Sequence, residues 1–342
     1  MDIGALFCMN LNQNIQSALE NIYISPLELC NLNCRYCYTD KTKNILSNKD
    51  ILDFIDKYQD FLKENSENTI FEGLERATHI HQPKKCVLKN LSEKKNVSKK
   101  NFRLKSILFC GGEVFTLPDF PDLVNTLIQK GIFITIITNG TIDCINKIKD
   151  PKNCQILVSL DGPKEIHDQN RGLGNFDKSI KFIEHSKKLG FPVEIMFLIT
   201  KDSYPYKDSF NVFDLPKTYL TDRCLSLTNE QTLDIKKNYQ TFPDHNFGCF
   251  QLSLQSTGVI TGCCESSLSL GLIDDDPATY VANFIKSLSV CSSCQKCDGC
   301  CDPDFFCGYK KELNKINCSD VVDIFNKSPC QGRCLEETEG LK

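Results

Sequence analysis

The sequence predicts an α/β architecture, with a parallel sheet curled into an open or closed barrel and a separate cysteine-rich segment at the C-terminal end. Three observations carry this. From Ile22 to about Thr200, short β-rich runs alternate with amphipathic helical segments. The runs are nearly continuously apolar, as in Phe133-Ile134-Thr135-Ile136-Ile137, which marks strands covered by helices. The 21 cysteines are uneven: nine precede Cys249, and twelve lie from Cys249 to Cys334.

Strands are expected at Ile22–Leu27, Ser106–Phe109, Ile132–Thr138, Gln155–Leu160 and Val193–Ile199, and helices at Ser47–Leu62, Asp119–Lys130, Thr141–Lys147 and Asn175–Leu189. Ser47 is placed to cap the first helix, with Asp50 in its first turn and Ile51, Phe54, Ile55, Tyr58, Phe61 and Leu62 on one face. A long insertion, about 65–105, separates that helix from the second strand. Between Lys84 and Lys105 it carries nine basic residues and one acidic residue, read either as a solvated insertion or as a patch for an acidic peptide leader or an electron donor. The segment Tyr204–Tyr219 supports no assignment. Thr228 and Gln231 form a capping-box pattern opening a short helix through Lys237. Beyond it, Phe250–Leu254 and Val259–Thr261 read as a hairpin joined by Gln255-Ser256-Thr257-Gly258, followed by a helix at about Pro277–Leu288.

At 342 residues the chain has room for about two domains. A net charge of −4 argues against nucleic acid as the main partner. No basic region leads into an apolar run at the N-terminus and no stretch suits a membrane span, so the expectation is a cytoplasmic protein without a membrane partner. In a reducing compartment this many cysteines read as metal-binding or redox-active.

The chemistry centres on Leu29-Cys30-Asn31-Leu32-Asn33-Cys34-Arg35-Tyr36-Cys37-Tyr38. Three thiolates on one short loop can hold three corners of a cubic iron–sulfur cluster, leaving an iron open to a substrate or cosubstrate. A zinc knuckle or three unrelated buried thiols are the alternatives, but zinc favours a closed four-ligand site and no fourth Cys or His lies near the loop. In Ile107-Leu108-Phe109-Cys110-Gly111-Gly112-Glu113, two glycines admit close backbone approach and Glu113 offers a carboxylate to an amino group; a tight turn with an exposed acid is the plainer reading. Thr138-Asn139-Gly140-Thr141, Val158-Ser159-Leu160-Asp161-Gly162-Pro163 and Ile166-His167-Asp168-Gln169-Asn170-Arg171 put polar residues at strand ends, where ligands of parallel sheets collect. Asn139 and Asp161 are equally suited to capping a turn.

Taken in order, these motifs resemble the radical SAM superfamily over roughly residues 22–200. Tyr36 is the aromatic before the third cysteine, and Val114 stands where the family commonly has Pro. The string SLDGPKEIHDQNRG is similar to that of the SPASM/twitch-type subfamily of peptide-modifying enzymes, which includes maturases of ribosomal peptides. The resemblance implies a partial (β/α)6 TIM-like barrel over 1–200, a connection over 201–248 and a cysteine-rich SPASM-like domain over 249–342. It implies a [4Fe-4S] cluster on Cys30, Cys34 and Cys37 that binds S-adenosyl-L-methionine. Gly111, Gly112 and Glu113 would hold the methionine amino group, Ser159 and Arg171 would contact the ribose and carboxylate, and Tyr36, Asn139 and Asp161 would complete the cosubstrate set.

The later cysteines imply one or two auxiliary [4Fe-4S] clusters drawn from Cys249, Cys263, Cys291, Cys294, Cys297, Cys300, Cys301, Cys307, Cys318, Cys330 and Cys334. Cys291, Cys294, Cys297 and Cys301 have ferredoxin spacing, although Asp302 precedes Pro303, and a zinc ribbon remains the alternative. Cys264, directly after Cys263, either donates a hydrogen atom to a substrate radical or is a spare ligand; Glu265 is a candidate base. The expected activity is reductive cleavage of S-adenosylmethionine, its 5′-deoxyadenosyl radical then modifying a peptide or small protein by thioether or carbon–carbon crosslinking or by Cα epimerisation. An electron donor such as ferredoxin or flavodoxin would be a partner. Sulfatase-maturase-like oxidation of Cys or Ser, and a non-catalytic iron–sulfur electron carrier or zinc-binding scaffold, stay open.

Overall fold

Six strands, taken in chain order, lie side by side and parallel: β1 (Asn21–Ile24), β2 (Ser106–Phe109), β3 (Phe133–Thr138), β4 (Cys154–Leu160), β5 (Val193–Ile199) and β6 (Lys217–Thr221). The computed structural model describes residues 18–37, 39–64, 102–221, 227–239, 241–242, 251–262 and 269–284. β7 (Thr241–Phe242) adds beside β6, and β8 (Ser253–Leu254) adds beside β1, both parallel. β8 then turns into antiparallel β9 (Val259–Thr261) and β10 (Gly271–Leu272). One ten-stranded sheet results, in the order β10-β9-β8-β1-β2-β3-β4-β5-β6-β7, and its two edges are not paired with each other among the described residues. The expected hairpin therefore exists and continues the sheet.

Helices cover one face. They include α1 (Asn48–Glu64), α2 (Phe120–Gln129), α3 (Lys164–Arg171), α4 (Asn175–Lys188) and α5 (Asn229–Asn238), and a helical run over residues 277–284 falls within the helix expected after the hairpin. Alternate strand residues Ile24, Phe109, Ile136, Val158 and Phe197 are sealed beneath them in a single apolar core. α1 starts as expected: the Asp50 N–H donates to Ser47 Oγ at 3.1 Å and the Ser47 N–H returns a bond to the Asp50 carboxylate at 3.1 Å. Its stripe of Ile51, Phe54, Ile55, Tyr58 and Leu62 is buried. The Thr228–Gln231 capping box opens α5. The aromatic centre of the core is Phe120, fully buried, with its ring edge-on to Phe109 at 5.2 Å and to Phe115 at 5.7 Å. The opposite face bears a small cluster of Tyr23, Leu108, Cys110 and Ile137.

Three elements differ from expectation. The helix expected at Thr141–Lys147 is only a 3-10 turn at Ile145–Lys147, because Asn139 Oδ1 captures both the backbone N–H (2.8 Å) and the hydroxyl (2.6 Å) of Thr141. α3 has no sequence forecast, since its buried residues are the polar His167, Asp168 and Asn170 and no apolar periodicity betrays it. β1 stops at Ile24 rather than Leu27, ahead of Pro26, and Leu27 makes an isolated antiparallel bridge to Ile45. β6 falls at the end of the segment left unassigned. Most of the basic insertion, residues 65–101, lies outside the described residues. No helix among the described residues is long and apolar enough to cross a membrane.

Truncating Phe120 removes the ring on which two other aromatics pack. Phe120→Ala is expected to lower the free energy of chemical unfolding by about 3–5 kcal/mol; a loss below about 1 kcal/mol would show that the core closes over the gap.

Candidate functional site

The C-terminal ends of β1 to β4 and the C-terminal end of α3 gather the predicted motifs at one end of the sheet. After β2, Gly111 takes a left-handed φ of +122°, and a Cβ there would lie 2.2 Å from the Leu27 carbonyl oxygen. A Cβ on Gly112 would lie 1.9 Å from the Leu29 carbonyl oxygen. The two glycines thus lie flat against the segment that leads to Cys30, with the N–H groups of Gly112 and Glu113 donating to the carbonyls of Leu27 and Leu29, each at 2.9 Å.

Glu113 lies at the centre of a hydrogen-bonded junction. Its side chain, 1% exposed, accepts bonds from the Phe115 N–H (3.2 Å), the Thr138 hydroxyl (2.8 Å) and the Asn139 N–H (2.8 Å). Burial raises its carboxyl above the usual range, while those three donors pull the other way. The group ties the end of β2 to the end of β3.

The cysteine loop has no regular structure and is held by its neighbours. Asn139 donates to Asn31 Oδ1 at 3.0 Å and lies 3.8 Å from Cys30 Sγ, Asn31 donates to the Thr141 hydroxyl at 2.8 Å, and Ser179 of α4 donates to the Asn139 carbonyl at 2.7 Å. The Arg35 N–H donates to the Asn170 carbonyl in α3 at 3.0 Å. The Tyr36 hydroxyl donates to one oxygen of Asp161 at 2.5 Å, and Arg171 Nε donates to the other at 2.8 Å. The Arg171 guanidinium also lies over the Tyr36 ring, 5.6 Å from its centroid. Asp161 is fully buried. Burial disfavours the Arg171 charge, but Asp161 outweighs it and the guanidinium stays above its usual pKa. Burial likewise raises the Tyr36 phenol, with Arg171 opposing and Asp161 adding. His167, fully buried beneath this pair, accepts from the Asp161 N–H at 3.4 Å, and burial pushes its imidazole down to about 4, which keeps it neutral. Ser159 sits buried at the end of β4, on the face away from the helical core.

Cys30, Cys34 and Cys37 are free thiols; the first two are half-buried and the third is exposed. Burial raises Cys30 and Cys34 above the usual thiol range, opposed by the Leu32 N–H on Cys30 at 3.4 Å and by Arg171 near Cys34. Among the described residues no three His, Cys, Asp or Glu side chains converge as ligands of a single ion. Three free sulfurs on one anchored loop, beside glycines that admit a close ligand, fit three corners of a cubic cluster.

Tyr36, Gly111, Gly112, Glu113, Asn139, Ser159, Asp161 and Arg171 thus stand around the cysteine loop at one sheet end. Cys249, Cys263, Cys264, Glu265, Cys291, Cys294, Cys297, Cys300, Cys301, Cys307, Cys318, Cys330 and Cys334 lie outside the described residues. Asn31, Thr138, Thr141, Asn170 and Ser179 join the site unforeseen; all but Ser179 fall inside the motifs, where their polar character at strand ends was the available signal.

The family profile described as Radical SAM superfamily matches residues 24–206, more than half of the chain. The chain is 34% identical over 113 residues to Fe-coproporphyrin III synthase of Methanosarcina barkeri, a match spanning 32% of this chain and 28% of that protein. The solved structure of anSMEcpe with bound AdoMet and a Cp18Cys peptide aligns over 90% of this chain and 99% of its own, with TM-score 0.51 and 17% identity. Streptococcus suis SuiB bound to precursor peptide SuiA aligns over 80% of this chain and 67% of its own, with TM-score 0.51 and 16% identity. These likenesses show the shared α/β fold.

Asp161→Ala would strand a guanidinium that is only 10% exposed and release the Tyr36 hydroxyl. The expected loss is about 3–5 kcal/mol of unfolding free energy, and Asp161→Ala combined with Arg171→Met should recover most of it. Equal losses in the single and double variants would contradict a central role for this ion pair.

Proposed function

Because this chain belongs to the radical SAM superfamily, we propose that it is an enzyme that reductively cleaves S-adenosyl-L-methionine and directs the resulting 5′-deoxyadenosyl radical onto a peptide or small protein. The observation that carries this is the anchoring of three free thiols at the sheet end where Gly111, Gly112, Asn139, Ser159, Asp161 and Arg171 also meet. A [4Fe-4S] cluster on Cys30, Cys34 and Cys37 supplies the electron that splits the cosubstrate into methionine and the 5′-deoxyadenosyl radical.

The chain's own residues do the positioning. Gly111 and Gly112 let backbone polar groups come close to the methionine amino group, and Glu113 keeps that turn locked to β3. Arg171, held by Asp161, presents a cation toward the methionine carboxylate, and Ser159 offers a hydroxyl toward the ribose. Tyr36 packs its ring against Arg171 and excludes water from that side. Asn139 fixes the first turn of the cysteine loop.

A peptide substrate is supported by the peptides bound in the anSMEcpe and SuiB structures. The proposed organisation places this chemistry in 1–200, a connection in 201–248 and an auxiliary-cluster domain in 249–342, whose cysteines would bind substrate or take back the electron. Ferredoxin or flavodoxin would supply reducing equivalents. Crosslinking and Cα epimerisation are the outcomes favoured, Cys264 serving as hydrogen-atom donor in the second.

Anaerobically reconstituted protein reduced with dithionite should convert S-adenosylmethionine to 5′-deoxyadenosine, and Cys34→Ala should reduce that rate at least 100-fold (about 2.7 kcal/mol in barrier). Absence of 5′-deoxyadenosine, even with candidate peptides present, would overturn the reading. Formation of an iron coproporphyrin from a tetrapyrrole precursor, with no peptide modified, would move the reading to the reaction class in the archaeal relative's name.

A further inference from the structure

Lys41 follows the cysteine loop and belongs to none of the motifs above. Its backbone is left-handed, with φ of +50°, a conformation disfavoured for any residue bearing a Cβ. Phe213 and Asp214 are the other non-glycine residues with positive φ among those described, and they sit together in a turn remote in sequence from any predicted site. The distortion at Lys41 has a visible consequence. It folds the chain back so that the Lys41 ammonium donates to the Leu32 carbonyl at 2.8 Å and to Asn33 Oδ1 at 2.6 Å. Both acceptors lie between Cys30 and Cys34. No carboxylate among the described residues pairs with this ammonium.

Arg171, the buried cation of this end of the sheet, behaves differently. Arg171 stands near Cys34, but Asp161 faces it at 2.8 Å, so its charge is largely compensated. Lys41 is instead held by two neutral acceptors. Three thiolates holding a cluster would make this end of the sheet negative, and Lys41 is a cation there that no carboxylate among the described residues neutralises.

We propose that Lys41 is a positioning residue that closes the Cys30–Cys34 segment of the loop and, by its uncompensated charge, raises the reduction potential of the iron–sulfur site held there. The assignment rests on the function proposed above. Reduction adds negative charge to the cluster, and a nearby fixed cation stabilises the reduced form. An ammonium on a neutral hydrogen-bonded perch does this better than one already paired with an acid.

The test is a potentiometric titration of reconstituted full-length protein, followed by electron paramagnetic resonance with and without S-adenosylmethionine. The cosubstrate alters the signal of an open-cornered cluster only, which picks it out from any auxiliary cluster. Lys41→Met is expected to lower the potential of the cosubstrate-sensitive signal, and Lys41→Arg to restore most of it. Lys41→Gly relieves the left-handed strain while removing the charge, and is expected to behave like Lys41→Met. A Lys41→Gly protein with the wild-type potential would reduce the residue to a backbone role and overturn the proposal, as would a Lys41→Met potential equal to wild type. A wild-type protein whose signal ignores S-adenosylmethionine would overturn the functional reading itself, and the Lys41 assignment with it.

Discussion

The buried Tyr36–Asp161–Arg171 contact is the interaction on which the rest of the site depends. The loop carrying Cys30, Cys34 and Cys37 has no hydrogen-bonded secondary structure of its own, so other elements must set its shape. Asp161 meets that need from the end of β4, receiving the Tyr36 hydroxyl on one oxygen and Arg171 on the other. The neutral anchors, at Asn31 and Arg35, are individually worth about 0.5–1.5 kcal/mol. Removing one partner of a buried ion pair costs several times as much, because the other charge is left without water or counter-ion. The loop's third cysteine is therefore fixed by the strongest contact, and its first two by weaker ones.

The parallel sheet explains why such contacts can form. Strands that all run the same way deliver their C-terminal ends to one edge, and the polar residues just beyond each end meet there. Glu113 shows how the edge is stitched together: its carboxylate holds the end of β3, and its burial is tolerated because three donors face it. His167 plays a comparable part beneath Asp161 as a neutral acceptor. The result is a platform of strand ends tied to one another by side-chain hydrogen bonds.

Much of this was legible in the sequence, for reasons that differ by element. β2 and β5 match their forecast ranges because continuous apolar runs between polar turns have no competing reading. α1 and α5 were marked by caps whose hydrogen bonds now stand at Ser47–Asp50 and Thr228–Gln231. The 3-10 turn after β3 stands where the sequence predicts a helix, because the competing hydrogen bonds from Thr141 to Asn139 leave no trace in apolar periodicity. α3 escaped because a helix that buries His, Asp and Asn shows no hydrophobic stripe. The motifs predicted which residues would meet, but not their partners: that Glu113 holds the end of β3, or that Lys41 clamps the loop, depends on backbone paths that motif spacing does not encode.

Mössbauer spectroscopy of 57Fe-reconstituted protein tests the central claim most directly, since it counts cluster types whether or not turnover occurs. The wild type should contain one [4Fe-4S] component whose spectrum changes when S-adenosylmethionine is added. Replacing Cys30, Cys34 and Cys37 together by Ala should remove that component alone. A triple variant that keeps the cosubstrate-sensitive component would contradict the assignment of the loop.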